Sequence, residues 1–231
     1  MSTDPLFYDS VVQRGFAIAP SLIEEGEAES ALSDLEAANL NRSRAGARHI
    51  LSQPRVQRLA NDPRVLNLAR AVLGEKALPF RATLFDKSPN SNWLVVWHQD
   101  TALPLQEKRE APGWGPWSVK DGITYAHAPA KALEQVLALR IHLDDSTDSN
   151  GPLRVIPGTH VRGVLTDEEL QKLDSEIEPV PCTVDKGGVV AMRPLIVHAS
   201  SKSQSLLPRR VLHIEYSAVS GFENQLQLAT A

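Results

Sequence analysis

One cysteine, Cys182, stands in 231 residues. An internal disulfide and a cysteine-rich zinc site are thereby excluded, which leaves Cys182 as a small core residue. Such usage suits a reducing compartment, and a cytoplasmic location is expected. Long apolar runs are also missing, since none approaches the roughly 20 residues of a membrane span. The opening Met1-Ser2-Thr3-Asp4-Pro5 is polar and acidic, so no signal peptide is expected. Positive charge is not in excess. A net charge of −4, with both signs mixed along the chain, excludes a basic field for nucleic acid and a polybasic arm. Internal repeats and linker-like stretches are absent too, so residues 1–231 read as one domain. A hydrophobic fraction of 42% suffices for its core. Nothing in the sequence speaks to oligomeric state.

What is present divides into a helical first third, about 13–75, and a strand-rich remainder, about 78–218. Residues 1–12 read as a polar lead-in and Phe16–Ala19 as a short strand. Ser21 and Glu24 have the spacing of a capping box, which predicts a helix opening at Ser21 with Leu22, Ala28, Ala31, Leu32 and Leu35 on its apolar stripe. Asn39–Arg48 is polar and arginine-rich, a predicted loop. A short helix over 54–59 precedes a second one, capped by Asp62-Pro63 and stopped at Gly74. From Leu78 the pattern changes. Leu78–Lys87 and Trp93–His98 read as strands joined by a turn over Ser88–Asn92. Leu103–Ala130 is rich in Pro, Gly and Trp without a period, so it is either a lid over a site or a surface loop packing its aromatics onto the helices. Gln135–Leu143 alternates as a half-buried strand would. Further strands are expected at 153–156, 180–184, 189–191, 195–197 and 210–217, with a helix from Thr166 through Leu173. About eight short strands with Gly/Pro turns predict a sandwich or jelly roll with the helices packed outside it.

The chemistry-bearing signal is His98-Gln99-Asp100 at the end of one apolar run and His198 at the end of another. Two imidazoles and a carboxylate suit a facial triad on a non-haem iron, with the other positions open to reactants. Taken alone the pair is weak. Seven histidines and 28 acidic residues make chance His-x-Asp pairs expected, and His142-Leu143-Asp144 is a second one. His98 and Asp100 sit at a strand end before a long loop, where sites tend to lie, whereas Asp144 and Asp145 lead into a turn and read most simply as capping it. Both pairs remain open on these grounds.

Longer stretches resemble the phytanoyl-CoA dioxygenase family of iron(II)/2-oxoglutarate oxygenases. They are Trp97-His98-Gln99-Asp100, the run from Ile141 through Asn150-Gly151-Pro152 to His160, then His198-Ala199-Ser200-Ser201 and Pro208-Arg209-Arg210, in an order that fits from about Phe16 to Ser217. The resemblance implies a double-stranded β-helix, the cupin-like jelly roll. It makes His98, Asp100 and His198 the iron ligands and His142 a scaffold residue. It gives Ser200 and Arg209 the far carboxylate of 2-oxoglutarate, and places Trp117 and Thr83 near the cosubstrate. Arg209 conflicts with a plain core argument. Strand parity puts Arg209 with Val211, His213 and Glu215, and puts Arg210 on the more apolar face with Leu212, Ile214 and Tyr216. The implied activity is hydroxylation, or another C–H oxidation, of a small or medium organic molecule, with O2 consumed and succinate and CO2 released. A cupin-like metal enzyme without 2-oxoglutarate and a non-catalytic binding module are the alternatives.

Overall fold

Strand pairing in the computed structural model, which describes residues 5–43, 46–89 and 91–231, builds three antiparallel sheets. The chain enters through a helix, α1 (Pro5–Arg14), where a lead-in was expected. Phe7 and Val11 lie one turn apart and are both buried, so one apolar stripe suffices to dock it. Residues 1–4 lie outside the described part. After β1 (Phe16–Ala19), Ser21 takes a left-handed φ of 51°, and α2 (Glu25–Ala37) starts four residues later than its expected cap. Glu24 and Glu27 form the capping box instead. The expected loop over 39–48 contains two short strands, β2 (Arg42–Ser43) and β3 (Gly46–Arg48); its Arg44 and Ala45 are not among the described residues. Next come α3 (Pro54–Ala60) and α4 (Pro63–Leu73). The Asp62 carboxylate accepts from the Arg64 backbone N–H, and Gly74 closes α4 at φ 93°.

β4 (Leu78–Lys87) matches its predicted bounds, and the Ser88–Ser91 bridge makes the turn, of which Asn90 is outside the described residues. β5 (Val95–His98) follows. The aperiodic stretch then forms a sheet of β6 (Ala102–Leu105), β7 (Trp117–Lys120) and β8 (Ile123–His127). These strands are too short, and too interrupted by proline, to show alternation. Its Trp114 packs on Phe222 near the C-terminus and on the cluster around Leu103, Ala132 and Leu133, not on the helices of the first third. After α5 (Ala130–Leu133), β9 (Val136–His142) is buried on both faces rather than one. β10 (Leu153–Ile156), α6 (Asp167–Glu176) with its Thr166/Glu169 capping box, β11 (Val180–Cys182), β12 (Val189–Met192), β13 (Val197–Ser200) and β14 (Arg209–Ser217) complete the chain.

A seven-stranded sheet in the order β1-β12-β9-β14-β4-β3-β2 lies over a four-stranded one, β11-β10-β13-β5. Phe16, Ala138, Val190 and Met192 of the first share a cluster with Leu153, Val155 and Cys182 of the second, so the two are packed face to face. The outer face of the larger sheet carries the main core. Leu84, Leu139, Leu212, Ile214 and Tyr216 pack there with Val56, Val65 and Leu35 of the helices. Each such buried side chain contributes roughly 1.5–3 kcal/mol. This covering by helices is why β9 has no solvent face. The more apolar side of β14 is therefore the helix side, and the inner face is free to be polar.

Gly187 marks a close approach. At φ 85°, a Cβ there would stand 2.0 Å from the Ile23 carbonyl oxygen, and its own carbonyl accepts from the Ile23 N–H. Gly187→Ala is expected to cost about 2 kcal/mol or more and to lower Tm by roughly 4–8 °C, read by thermal unfolding.

Candidate metal centre

β13 and β5 pair antiparallel with His198 directly opposite His98, so both imidazoles leave the sheet on one side, their ring centroids 4.2 Å apart. Asp100 follows β5 by two residues, and its backbone N–H is held by the Pro194 carbonyl at 2.9 Å. Its two carboxylate oxygens lie 3.7 Å from His98 Nε2 and 3.5 Å from His198 Nε2. Gln99, of opposite parity, turns away. Its amide donates to the Gly163 and Leu195 carbonyls and accepts from the Leu165 N–H, pinning the segment that presents Asp100.

The tautomers follow from the second nitrogens. His98 Nδ1 is 2.8 Å from the Val96 carbonyl and His198 Nδ1 is 2.9 Å from the Ile196 carbonyl. A carbonyl only accepts, so each Nδ1 carries a proton and each Nε2 is the ring atom left to face Asp100 and to serve as a ligand. Burial pushes the His198 imidazole down to about 4. For Asp100 burial alone would raise the pKa, yet His198 and His98 outweigh it and hold the carboxyl well below the usual carboxylate range. Burial would lower the His98 imidazole, yet the Asp100 carboxylate beside it outweighs burial and raises it above its ordinary value. The three ligand atoms lie within 4.8 Å of one another, in the one cluster among the described residues that could hold a metal ion, and a metal held at Nε2 would take the place of a proton there. This donor set fits a divalent first-row metal and leaves half of an octahedron to other ligands.

Next to His198 along β13, Ser200 brings in a group of buried cations, Lys87, Arg140 and Arg209. Arg209 opens β14 facing inward, and it pairs in register with Lys87 at the end of β4. Lys87 Nζ donates to Ser200 Oγ at 2.8 Å and to the Ser201 carbonyl at 2.5 Å. Arg209 reaches Ser200 Oγ only at 3.4 Å, and its Nη1 is buried with no partner. Arg140, on β9, faces the same space, where its Nη1 lies 3.1 Å from His213 Nδ1. Burial, then Arg140, pushes the Arg209 guanidinium down to about 9, and burial, then Arg209 and Arg140, pushes Lys87 down to about 7. Three buried cations with an idle guanidinium donor are poised for an anion, and a guanidinium fork suits a carboxylate.

The remaining expected residues separate. Arg210 points to the helix side, where Asp144 receives its Nε at 2.6 Å and its Nη2 at 2.9 Å. Asp144 is thus an ion-pair partner and not a turn cap, and His142 lies apart from it on the inner face, with burial pushing its imidazole down to about 3. Thr83 is on the inner face of β4, opposite His213. Trp117 is on β7, packed against the cluster of Leu105, Ala126 and Leu226. Lys87 and Arg140 were missed in the sequence. Parity with Thr83 was a signal for Lys87, but only the β4–β14 register sets it beside Arg209.

Two facing antiparallel sheets that carry His-x-Asp at one strand end and a histidine on the neighbouring strand define a jelly-roll protein with a facial-triad site. Residues 12–211 match the sequence profile of phytanoyl-CoA dioxygenase (PhyH), and the chain belongs to that family. It is 27% identical over 189 residues to L-proline trans-4-hydroxylase of Streptomyces griseoviridis, a match that covers 71% of this chain and 63% of that protein. It is 26% identical over 189 residues to ectoine dioxygenase of Sphingopyxis alaskensis, covering 72% of this chain and 55% of that protein. The matches thus span less than two thirds of these relatives' length. The fold is shared with the crystal structure of EctD from S. alaskensis with 2-oxoglutarate and 5-hydroxyectoine, at a TM-score of 0.73 and 23% identity over 94% of this chain and 77% of that one. HygX from Streptomyces hygroscopicus, solved with nickel and 2-oxoglutarate bound, gives a TM-score of 0.69 at 18% identity over 96% of this chain and 89% of that one. No helix among the described residues is long and apolar enough to cross a membrane.

Proposed function

We propose that this protein is an iron(II)- and 2-oxoglutarate-dependent dioxygenase that hydroxylates or otherwise oxidises a C–H bond of a small or medium organic molecule. The observation that carries the reading is the juxtaposition of the His98–Asp100–His198 cluster with the buried Arg209 guanidinium, whose Nη1 has no partner. His98 and His198 would hold the metal through Nε2 and Asp100 through a carboxylate oxygen. Ser200, Arg209 and Lys87 would hold the far carboxylate of 2-oxoglutarate. Thr83 and Trp117 are proposed to flank the cosubstrate, Thr83 from the inner face. When bound, iron(II), 2-oxoglutarate and O2 supply the oxidising chemistry, and succinate and CO2 leave as products. The chain's own part is positional. The Val96 and Ile196 carbonyls fix both imidazole tautomers, Gln99 and Pro194 fix the backbone that presents Asp100, and the two sheets keep water from the anion pocket. The helices and the jelly roll share the core around Leu84, Leu139 and Ile214, which supports one oxygenase domain over 1–231. The sole cysteine is free and buried, in keeping with a cytoplasmic setting.

The test is stoichiometric. Protein loaded anaerobically with iron(II) is expected to release succinate and CO2 one-to-one from 2-oxoglutarate when O2 is admitted, slowly alone and faster with an accepted substrate. Chelation should abolish the release. A protein that binds neither iron(II) nor 2-oxoglutarate refutes the reading.

A further inference from the structure

A second charged cluster occupies the inner face of β4 and β14, six residues along from Lys87 and Arg209. Arg81 and Glu215 are register partners, and their side chains pair through two contacts, Nη2–Oε1 at 2.6 Å and Nε–Oε2. The pair is largely buried, at 15% and 3% side-chain exposure. Arg81 also lies over the Tyr125 ring, 5.5 Å from its centroid, and Lys120 lies 5.0 Å from the same centroid. Tyr125 is held in place by its hydroxyl, 2.6 Å from His49 Nε2. Arg48, opposite Thr83 in register and exposed, brings a third cation to this face. Among the described residues no carboxylate lies within ion-pair distance of Arg48 or Lys120.

The cluster sits on the other side of the candidate metal centre from the anion pocket. Along β14 the inward residues run Arg209, Val211, His213, Glu215, and it is His213 that feels the charge of both Asp100 and His198. Beyond it, Arg81 Nη1 reaches the Ala102 carbonyl, two residues past Asp100, at a long 3.3 Å, which leaves that edge of the fork under-used. Lys120 and Glu215 are both within electrostatic reach of Asp100. Three cations converge here, while Glu215 is spent on Arg81 and Asp121 lies at the rim, 3.9 Å from His49 Nδ1; that is more positive charge than a purely structural ion pair needs. Burying such a pair costs several kcal/mol per ion before any return, and well-packed apolar residues would hold the strands together as well.

We propose that Arg81, Lys120 and Arg48, gathered around Tyr125, form the substrate-recognition site and that it takes a carboxylate-bearing small molecule. This rests on the oxygenase reading above and names the substrate class for it. Glu215 holds the Nε–Nη2 edge of the Arg81 guanidinium so that Nη1 faces the ligand. Lys120 supplies a second charge from β7 of the three-stranded sheet, and Arg48 a third from the rim. The deeper cations, Lys87, Arg140 and Arg209, are left to 2-oxoglutarate.

The experiment uses the full chain with manganese(II) and 2-oxoglutarate, without O2. A library of small carboxylic acids, each beside its primary amide, is screened by thermal shift and calorimetry, and hits are tested for faster 2-oxoglutarate turnover with iron(II). The hits are expected to be acids, with the matching amide at least about tenfold weaker. Lys120→Ala and Arg48→Ala, both changes of exposed residues, should weaken the hit by about two- to fivefold each, and Arg81→Lys by at least about tenfold. All three should keep the Kd for 2-oxoglutarate within about twofold of the parent. The proposal is overturned if amides bind as well as acids, if no acid in the library binds, or if the variants weaken 2-oxoglutarate itself as much as the hit. That last result would assign the cluster to steering the cosubstrate. Loss of 2-oxoglutarate binding in the unaltered protein would overturn the oxygenase reading, and this proposal with it.

Discussion

Asp100→Ala is expected to abolish iron loading and coupled turnover of 2-oxoglutarate. The carboxylate is the sole anionic donor of the His98–Asp100–His198 cluster, and its oxygens lie between the two Nε2 atoms. Without it two neutral imidazoles remain, one-third of the donor set and all of its negative charge gone. Changing even the groups that orient metal ligands typically costs 10–100-fold in affinity or activity, so removing a ligand should cost at least about 100-fold. Metal analysis after reconstitution reads the first loss and succinate release reads the second. The fold should survive, because the backbone of residue 100 is held by its N–H to Pro194 and by the Gln99 clamp rather than by the carboxylate. Full iron occupancy with full succinate yield in this variant would sink the triad.

The second large effect belongs to Arg209. Arg209→Met should weaken 2-oxoglutarate by about 100-fold, since truncating one partner of a buried hydrogen-bonded charge pair costs roughly 2–5 kcal/mol and every 1.4 kcal/mol is tenfold. The same change should leave the ligand-free protein as stable or more stable. There Arg209 is a buried cation beside Lys87 and Arg140 with Nη1 unpaired, and such charges are commonly relieved by apolar residues of similar volume. Arg210→Met is the contrast. Its guanidinium is engaged by Asp144 and Glu36 on the helix side, so 2-oxoglutarate affinity should stay within about threefold while stability falls by about 1–3 kcal/mol. Calorimetry of the cosubstrate and thermal unfolding of both variants read the two directions. If Arg210→Met lost the cosubstrate and Arg209→Met kept it, the anchor would be misassigned.

This contrast shows what parity can and cannot say. The alternation along Arg209–Ser217 was legible, and it correctly divided the strand into an apolar and a polar face. It did not say which face meets a partner sheet and which meets helices. A plain core argument turns the apolar residues inward, against the assignment of Arg209, yet Leu212, Ile214 and Tyr216 pack with the helices, the Tyr216 hydroxyl donating to the Ala60 carbonyl. Similarly, the alternation of Leu139, Ile141 and Leu143 predicted a half-buried strand, whereas β9 is covered on both sides, with Arg140 and His142 turned into the barrel. The sheet of β6, β7 and β8 was invisible because its short strands lie among Pro104, Pro112, Pro116 and Pro129 and show no alternation. The helix over Pro5–Arg14 was missed because only Phe7 and Val11 mark its buried stripe.

By itself the sequence determined the locally encoded parts: the bounds of β4 and β10, the Asp62 and Thr166 caps, and the His-x-Asp at a strand end. Each depends on residues within a turn or a strand's length of one another, where propensity and hydrogen-bond geometry act directly. Tertiary structure alone decided which charges share a space. Lys87 meets Arg209, His98 meets His198 and Arg81 meets Glu215 through strand registers that join residues 100 or more positions apart. A register is set by the packing of whole sheets against each other and against the helices. The meeting of these side chains is therefore a property of the assembled barrel, and no stretch of chain carries it alone.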